Sequence, residues 1–223
     1  MRNRPIQLNE TQRAVLQALA RLRFATLDQL TYWVEVQRPA VTKTLQRLLE
    51  QGFVEVERGY RPHIYQATTS GIRAADGVPP GGNRYYSFPV MAHQCHCNAA
   101  EIRLRKHYAG FTFLGRHEVY KLGLSPAIGE HFGRGDDGIG TFVLLDDYLM
   151  QPQRITHSWQ RPHTPNTRYF DLDQGKVRRW SEVASRFVVA ATDRYQYERH
   201  KSYVVKIPDN RPALLFVEGL WAR

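Results

Sequence analysis

The sequence predicts a mixed α+β protein in two parts: a helical domain closed by a β-hairpin over residues 1–78, and an α/β domain over residues 91–223. Three observations lead there. Apolar residues recur at helical spacing in three successive segments before residue 50. An alternating run at 53–58, a Gly-Pro turn at 59–62 and a second run at 63–67 form a hairpin pattern. The stretch Gly77-Val78-Pro79-Pro80-Gly81-Gly82-Asn83 is dense in chain breakers, and 79–90 is read as the linker. With 223 residues, 42% of them hydrophobic and 23% charged, the chain is long and apolar enough to build a core, which argues against wholesale disorder.

In the first part, Asn9 with Gln12 three residues on is a variant of the capping box, and Val15, Leu16, Leu19 and Leu22 follow as one apolar stripe. Thr26 and Gln29 repeat the cap signal for a shorter second helix with Leu27, Leu30 and Val34 inward. Pro39 suits the first position of a third helix, where its missing N–H is harmless. Val41, Leu45, Leu48 and Leu49 make that helix's buried stripe, and Gly52 suits the position just past its end. Phe53–Arg58 and His63–Ala67 then read as paired strands, and Thr69–Arg73 as the opening of a fourth helix. Three helices followed by a hairpin is the winged-helix order.

The segment RPAVTKTLQRLLEQGFVEV at 38–56, followed by YQATTSG at 65–71, resembles the recognition helix, wing and following helix start of MarR-type winged-helix regulators. With residues 41, 45 and 48 inward, the opposite face of the third helix carries Thr42, Lys43, Gln46 and Arg47, with Arg38 at its start. A helix fits the major groove, where Arg or Lys can bond guanine O6 and N7 and Gln can bond adenine N6 and N7. Arg58, Arg61 and His63 at the wing tip suit phosphate or minor-groove contacts. The formal charge of +10 agrees with a polyanionic partner, although the surplus is spread, with 11 basic and 7 acidic residues in 1–78 and 20 and 14 in 79–223.

Beyond the linker, Met91–Tyr108 reads as a helix, Gly140–Leu145 as a buried strand, Lys176–Phe187 as a helix and Val188–Ala191 as a strand. Arg194–Tyr203 reads as a further helix and Leu214–Val217 as a last strand, so partly parallel pairing is expected. The segments GDDGIGTFVLLDD at 135–147 and RFVVAATDR at 186–194, with the overall order, resemble the replication-relaxation family of mobile genetic elements. There a winged helix precedes a domain similar to PD-(D/E)xK nucleases, and the resemblance implies a degenerate copy of that fold here.

A nuclease of that type holds Mg²⁺ between carboxylates and places a Lys two residues beyond the second. Asp136 or Asp137 with Asp146 or Asp147 offers the carboxylates, but the Lys positions hold Tyr148 and Leu149. Lys176 or Arg178, on a following helix, is the available substitute. Catalysis is therefore not expected, and Mg²⁺ enters only under the nuclease alternative. His93 and Cys97 could share one helix face as metal ligands, yet two ligands do not close a tetrahedral zinc site, so small buried cysteines beside histidines is the preferred account and no cofactor is expected. Cys95 and Cys97 sit too close for an ordinary disulfide framework and suit a reducing compartment. His157, Ser158 and His163 form no readable triad, and Trp159, Trp180 and Trp221 are read as core or interface anchors. The basic-aromatic run Arg194–Lys201 could follow a nucleic-acid backbone, but an amphipathic helix with solvated charges is the commoner reading.

The start Met1–Pro5 leads into no apolar run, and stretches such as Phe187–Ala191 are too short to cross a bilayer, so a cytoplasmic protein without a membrane partner is expected. The functional expectation is sequence-specific binding of double-stranded DNA by a homodimer, controlling transcription or processing of a plasmid, phage or integrative element. The alternatives are a Mg²⁺-dependent DNA endonuclease and a winged helix that binds protein.

Overall fold

The computed structural model describes residues 7–77, 86–147, 149–163, 178–207 and 212–220. The chain divides into two compact units, one running to Ala99 and including Leu220, the other Ala100–Gly219. The division falls inside a helix, beyond the linker expected at 79–90, of which residues 79–85 lie outside the described residues.

In the first unit, α1 (Glu10–Leu22) is capped as the sequence expects: Asn9 Oδ1 accepts from the Gln12 N–H at 2.8 Å, and Gln12 Oε1 accepts from the Asn9 N–H at 3.0 Å. The same reciprocal pair, Thr26 with Gln29, starts α2 (Leu27–Val34). Helix α3 (Arg38–Glu50) carries Pro39 in its first turn, one residue later than expected. Gly52, at φ +70, takes the left-handed conformation that lets the chain leave α3. Val15, Leu16, Leu19, Leu30, Val41, Leu45 and Leu48 fuse the three helical stripes into one core.

Strands β1 (Val54–Glu57) and β2 (Ile64–Ala67) pair antiparallel from Val54 opposite Ala67 to Glu57 opposite Ile64. An isolated bridge between Ala25 and Tyr65 adds two backbone bonds, at 2.8 and 3.0 Å, and ties the hairpin to the segment before α2. Helix α4 (Thr69–Ala74) begins under a Thr68 cap. Gly71 has no freedom to change, since a Cβ there would stand 2.1 Å from the Phe53 carbonyl oxygen.

Helix α5 (Phe88–Arg105) starts three residues earlier than expected, so residues 88–90 are helical rather than linker. Its first half packs with the winged helix. Gln29 Nε2 donates to the Cys95 carbonyl at 2.7 Å, and Asn98 Nδ2 donates to the Phe24 carbonyl at 2.7 Å. Cys95 lies buried with Phe24, Ile64 and Met91, and Phe88 stacks on Tyr60 of the hairpin turn with ring centroids 3.5 Å apart.

The second unit is built on one sheet, in the order β3 (Thr112–Phe113), β4 (Glu130–Arg134), β5 (Gly140–Asp146), β6 (Arg186–Ala191), β7 (Ala213–Phe216). The first two pairings are antiparallel and the last two parallel, which bears out partly parallel pairing. Helix α6 (Arg116–Lys121) follows β3, α7 (Gln153–Gln160) and α8 (Trp180–Val183) lie between β5 and β6, and α9 (Arg194–Val204) joins β6 to β7. Of the long helix expected over Lys176–Phe187, residues 176–177 lie outside the described residues and the rest is helical only over α8: Arg178 bridges His163, and Arg186 and Phe187 already belong to β6. Phe132, Phe142, Trp159, Trp180 and Phe187 stack as an aromatic core, so Trp159 and Trp180 are core anchors, while Trp221 lies outside the described residues.

One buried carboxylate serves this core. Glu130 Oε2 accepts from the Trp180 indole at 3.2 Å, the Ala127 N–H at 2.9 Å and Arg161 at 2.9 Å. Burial pushes its carboxyl up, but these donors outweigh it and hold Glu130 below its ordinary value of 4.5. A folded-state value below the unfolded one adds stability that is complete above about pH 4.5 and is lost as the pH falls through the lower folded value. Acid titration followed by tryptophan fluorescence should therefore show the second unit losing stability below the ordinary glutamate range. Glu130→Gln should lower stability at neutral pH and flatten that acid limb; an unchanged acid limb would remove Glu130 as its source.

Candidate nucleic-acid interface

Burial of Val41, Thr44, Leu45 and Leu48 fixes the roll of α3, and the opposite side presents Arg38, Thr42, Lys43, Gln46, Arg47 and Glu50 to solvent. All five residues expected to read DNA from this helix are thus on its exposed face. They are not equally free. Arg38 pairs with Asp28 at the start of α2, Thr42 Oγ1 donates to the Arg38 carbonyl at 2.9 Å, and Gln46 Nε2 donates to Glu50 Oε1 at 3.3 Å. Lys43 and Arg47 have no partner among the described residues.

The hairpin turn contributes exposed Arg58 and Arg61. His63 is half-buried, with Nδ1 3.0 Å from the Tyr60 carbonyl oxygen, so its ring is oriented by the turn. Tyr65 senses both groups of cations. Burial raises its hydroxyl above the ordinary value of 10, while Arg58 from the hairpin and Arg38 from α3 oppose that shift. Both arginines are thus near enough to Tyr65 to act on its hydroxyl. Asp28 and Glu50 were missed by sequence reasoning. Glu50 was detectable in principle as the i+4 neighbour of Gln46, whereas the Asp28–Arg38 pair depends on how α2 packs on α3.

In the second unit, the carboxylates of the nuclease alternative do not converge. Asp136 and Asp137 lie in the turn before β5, and Asp146 ends that strand, so about 20 Å of extended chain separates the two pairs. One Mg²⁺ cannot bridge that distance. Their partners differ as well. Asp137 bonds Arg186 at 2.6 Å, which holds its exposed carboxyl below the usual range. Asp146 is fully buried, accepts the Met150 N–H at 2.8 Å and lies 2.7 Å from His200 Nε2. Arg178 lies in a bridge rather than on a helix, and Lys176 lies outside the described residues.

The basic-aromatic run on α9 is largely spent on internal contacts. Arg194 and Lys201 pair with Glu198, Arg199 with Gln151, and Tyr197 packs on Phe216. His93 and Cys97 do share a face of α5, with Nε2 3.6 Å from Sγ. Cys95 and Cys97 are both buried free thiols. Burial pushes the Cys95 thiol up to about 12, which keeps it protonated and unreactive. Among the described residues no helix is long and apolar enough to cross a membrane.

Residues 5–70 match the family of the sugar-specific transcriptional regulator TrmB. Similar solved structures include Lactococcus lactis ZitR in complex with DNA, at 23% identity over 33% of this chain and 52% of that one, with a TM-score of 0.30. The zinc-responsive MarR family member ZitR from the same organism matches at 25% identity over 33% and 53%, with a TM-score of 0.30. Reduced MarR from E. coli matches at 24% identity over 31% and 53%, with a TM-score of 0.29. The chain spans about half the length of these regulators. No curated protein matches it. The N-terminal unit is a winged helix-turn-helix of the kind found in DNA-binding transcription regulators.

Two measurements follow from this geometry. Asp28→Asn releases Arg38, and the slope of log affinity for duplex DNA against log salt should steepen by about 0.9 as one more phosphate is neutralised; an unchanged slope would mean that Arg38 does not reach DNA. Thiol labelling of the native protein at pH 8 should leave Cys95 unmodified until denaturant is added, as mass spectrometry of the labelled peptides would show.

Proposed function

We propose that this chain is a sequence-specific DNA-binding transcription regulator that inserts α3 into the major groove and rests its wing on the backbone. The observation that carries this reading is the exposed α3 face, where Lys43 and Arg47 stand without partners among the described residues on a helix rolled by its buried stripe. Arg58 and Arg61 extend the positive surface along the wing, where phosphate contacts supply affinity and base contacts supply specificity. The match of residues 5–70 to a transcriptional regulator family supports the same reading.

The finer parts of the proposal rest on the resemblances noted in the sequence and on symmetry. One recognition helix covers only a few base pairs, so two copies on paired half-sites are the natural binding form, and the second unit is the candidate for joining them. The replication-relaxation resemblance points to the DNA of a plasmid, phage or integrative element. The same resemblance supports reading the second unit as a nuclease-like fold without catalysis, used for association or accessory DNA contact. The separated carboxylates favour that reading over cleavage.

The test is a mobility-shift titration on DNA flanking the protein's own gene, with unlabelled competitor and with and without Mg²⁺. A discrete, competitor-resistant complex on intact DNA is expected. Lys43→Ala/Arg47→Ala should weaken it by at least tenfold and relax its preference over random DNA. Equal affinity for specific and random DNA, or mutant binding equal to wild type, would refute the regulator reading. Mg²⁺-dependent cleavage would restore the nuclease.

A further inference from the structure

The outward face of α3 consists of two rows of side chains with different freedom. Arg38, Thr42, Gln46 and Glu50 follow one another every fourth residue, about 6 Å apart along the axis. Each has a polar group already committed, Arg38 to Asp28, Thr42 to the Arg38 carbonyl, and Gln46 and Glu50 to each other. Lys43 and Arg47 form the neighbouring row and have no partners among the described residues. One row can adapt to whatever it meets, and the other arrives with its donors and acceptors assigned.

The assignment matters most at Gln46. A free glutamine amide can turn its two ends, presenting either oxygen or nitrogen at a given place. Glu50, when ionised, only accepts, so the bond from Gln46 Nε2 to Glu50 Oε1 fixes the nitrogen end. One amide hydrogen is used in that bond. The second hydrogen and Oε1 remain as a donor beside an acceptor. In the major groove adenine offers the complementary pair, N7 to accept and N6–H₂ to donate. Guanine offers N7 and O6, both acceptors, so Gln46 Oε1 would face O6 with no proton between them.

We propose that Glu50 is a positioning residue that makes Gln46 a reader of adenine over guanine. The proposal rests on the reading that α3 enters the major groove, and deepens it by naming the base that one side chain selects. A carboxylate on a helix that approaches phosphates weakens binding at every sequence; at Glu50 that loss is offset by discrimination at one base pair.

The test is selection from a randomised duplex pool with the full chain, read by sequencing, for wild type, Gln46→Ala, Glu50→Ala and Glu50→Gln. Wild type is expected to select adenine at one position where Gln46→Ala has no preference. Glu50→Ala should admit guanine at that position, lowering the adenine-to-guanine ratio on the order of tenfold while the other positions hold. Glu50→Gln, whose amide donates as well as accepts, no longer fixes either end of Gln46 and should admit guanine too, whereas a general effect on helix stability would leave the selection unchanged because glutamate and glutamine have similar helix propensity. Three outcomes overturn the proposal alone: adenine retained in Glu50→Ala, a change confined to a different base, as direct reading of cytosine by Glu50 would give, or no Gln46-dependent base in an otherwise defined wild-type site. A wild-type pool with no selected sequence would instead overturn the regulator reading, and this proposal with it.

Discussion

The rotation of α3 about its own axis is the constraint on which the candidate interface depends. Burying Val41, Leu45 and Leu48 against the stripes of α1 and α2 removes three branched side chains from water, each worth roughly 1.5–3 kcal/mol. No other rotation of a 13-residue helix keeps that burial. Once it is set, Lys43, Gln46 and Arg47 must face outward, and no separate interaction is needed to aim them. The chemistry of the exposed face is a by-product of packing on the hidden one.

The wing is held by different means. Its two strands are short, and an isolated two-stranded hairpin is marginal in water. Here the Ala25–Tyr65 bridge adds backbone bonds on one edge, and the Tyr60–Phe88 stack holds the turn against the start of α5. The first half of α5 is itself seated by side-chain amides: Gln29 and Asn98 donate across to backbone carbonyls within the unit. Buried amides of this kind specify position, since losing one partner leaves the other unsatisfied. Arg58 and Arg61 thus project from a turn whose base and flank are both fixed.

The second unit shows how sequence proximity misleads about sites. Asp136, Asp137, Asp146 and Asp147 fall within 12 residues and look like a carboxylate cluster. An extended strand runs between them, and extension is the conformation that carries neighbours in sequence furthest apart. Asp146 instead meets His200, which is 54 residues away in the chain, inside the core. That pair is enclosed, with both side chains fully buried, and acts as internal structure.

Local chemistry alone determined most of the N-terminal unit. Capping pairs such as Asn9 with Gln12, stripes of Val and Leu at helical spacing, and Gly52 past the end of α3 are short-range signals, so the order of three helices and a hairpin, and the outward set on α3, could be read before any packing was known. The second unit was less legible for a physical reason. Strand β4 reads Glu-His-Phe-Gly-Arg and becomes a strand because β3 and β5 flank it; α6 and α7 are short and polar; and Arg186 and Phe187 join β6 although their local pattern continued a helix. Only the tertiary structure decided that Asp28 restrains Arg38, that Arg38 and Arg58 share the surroundings of Tyr65, and that the two aspartate pairs occupy opposite ends of β5. Those facts rest on which elements lie side by side, and that is settled by burial summed over the whole unit rather than by any one segment.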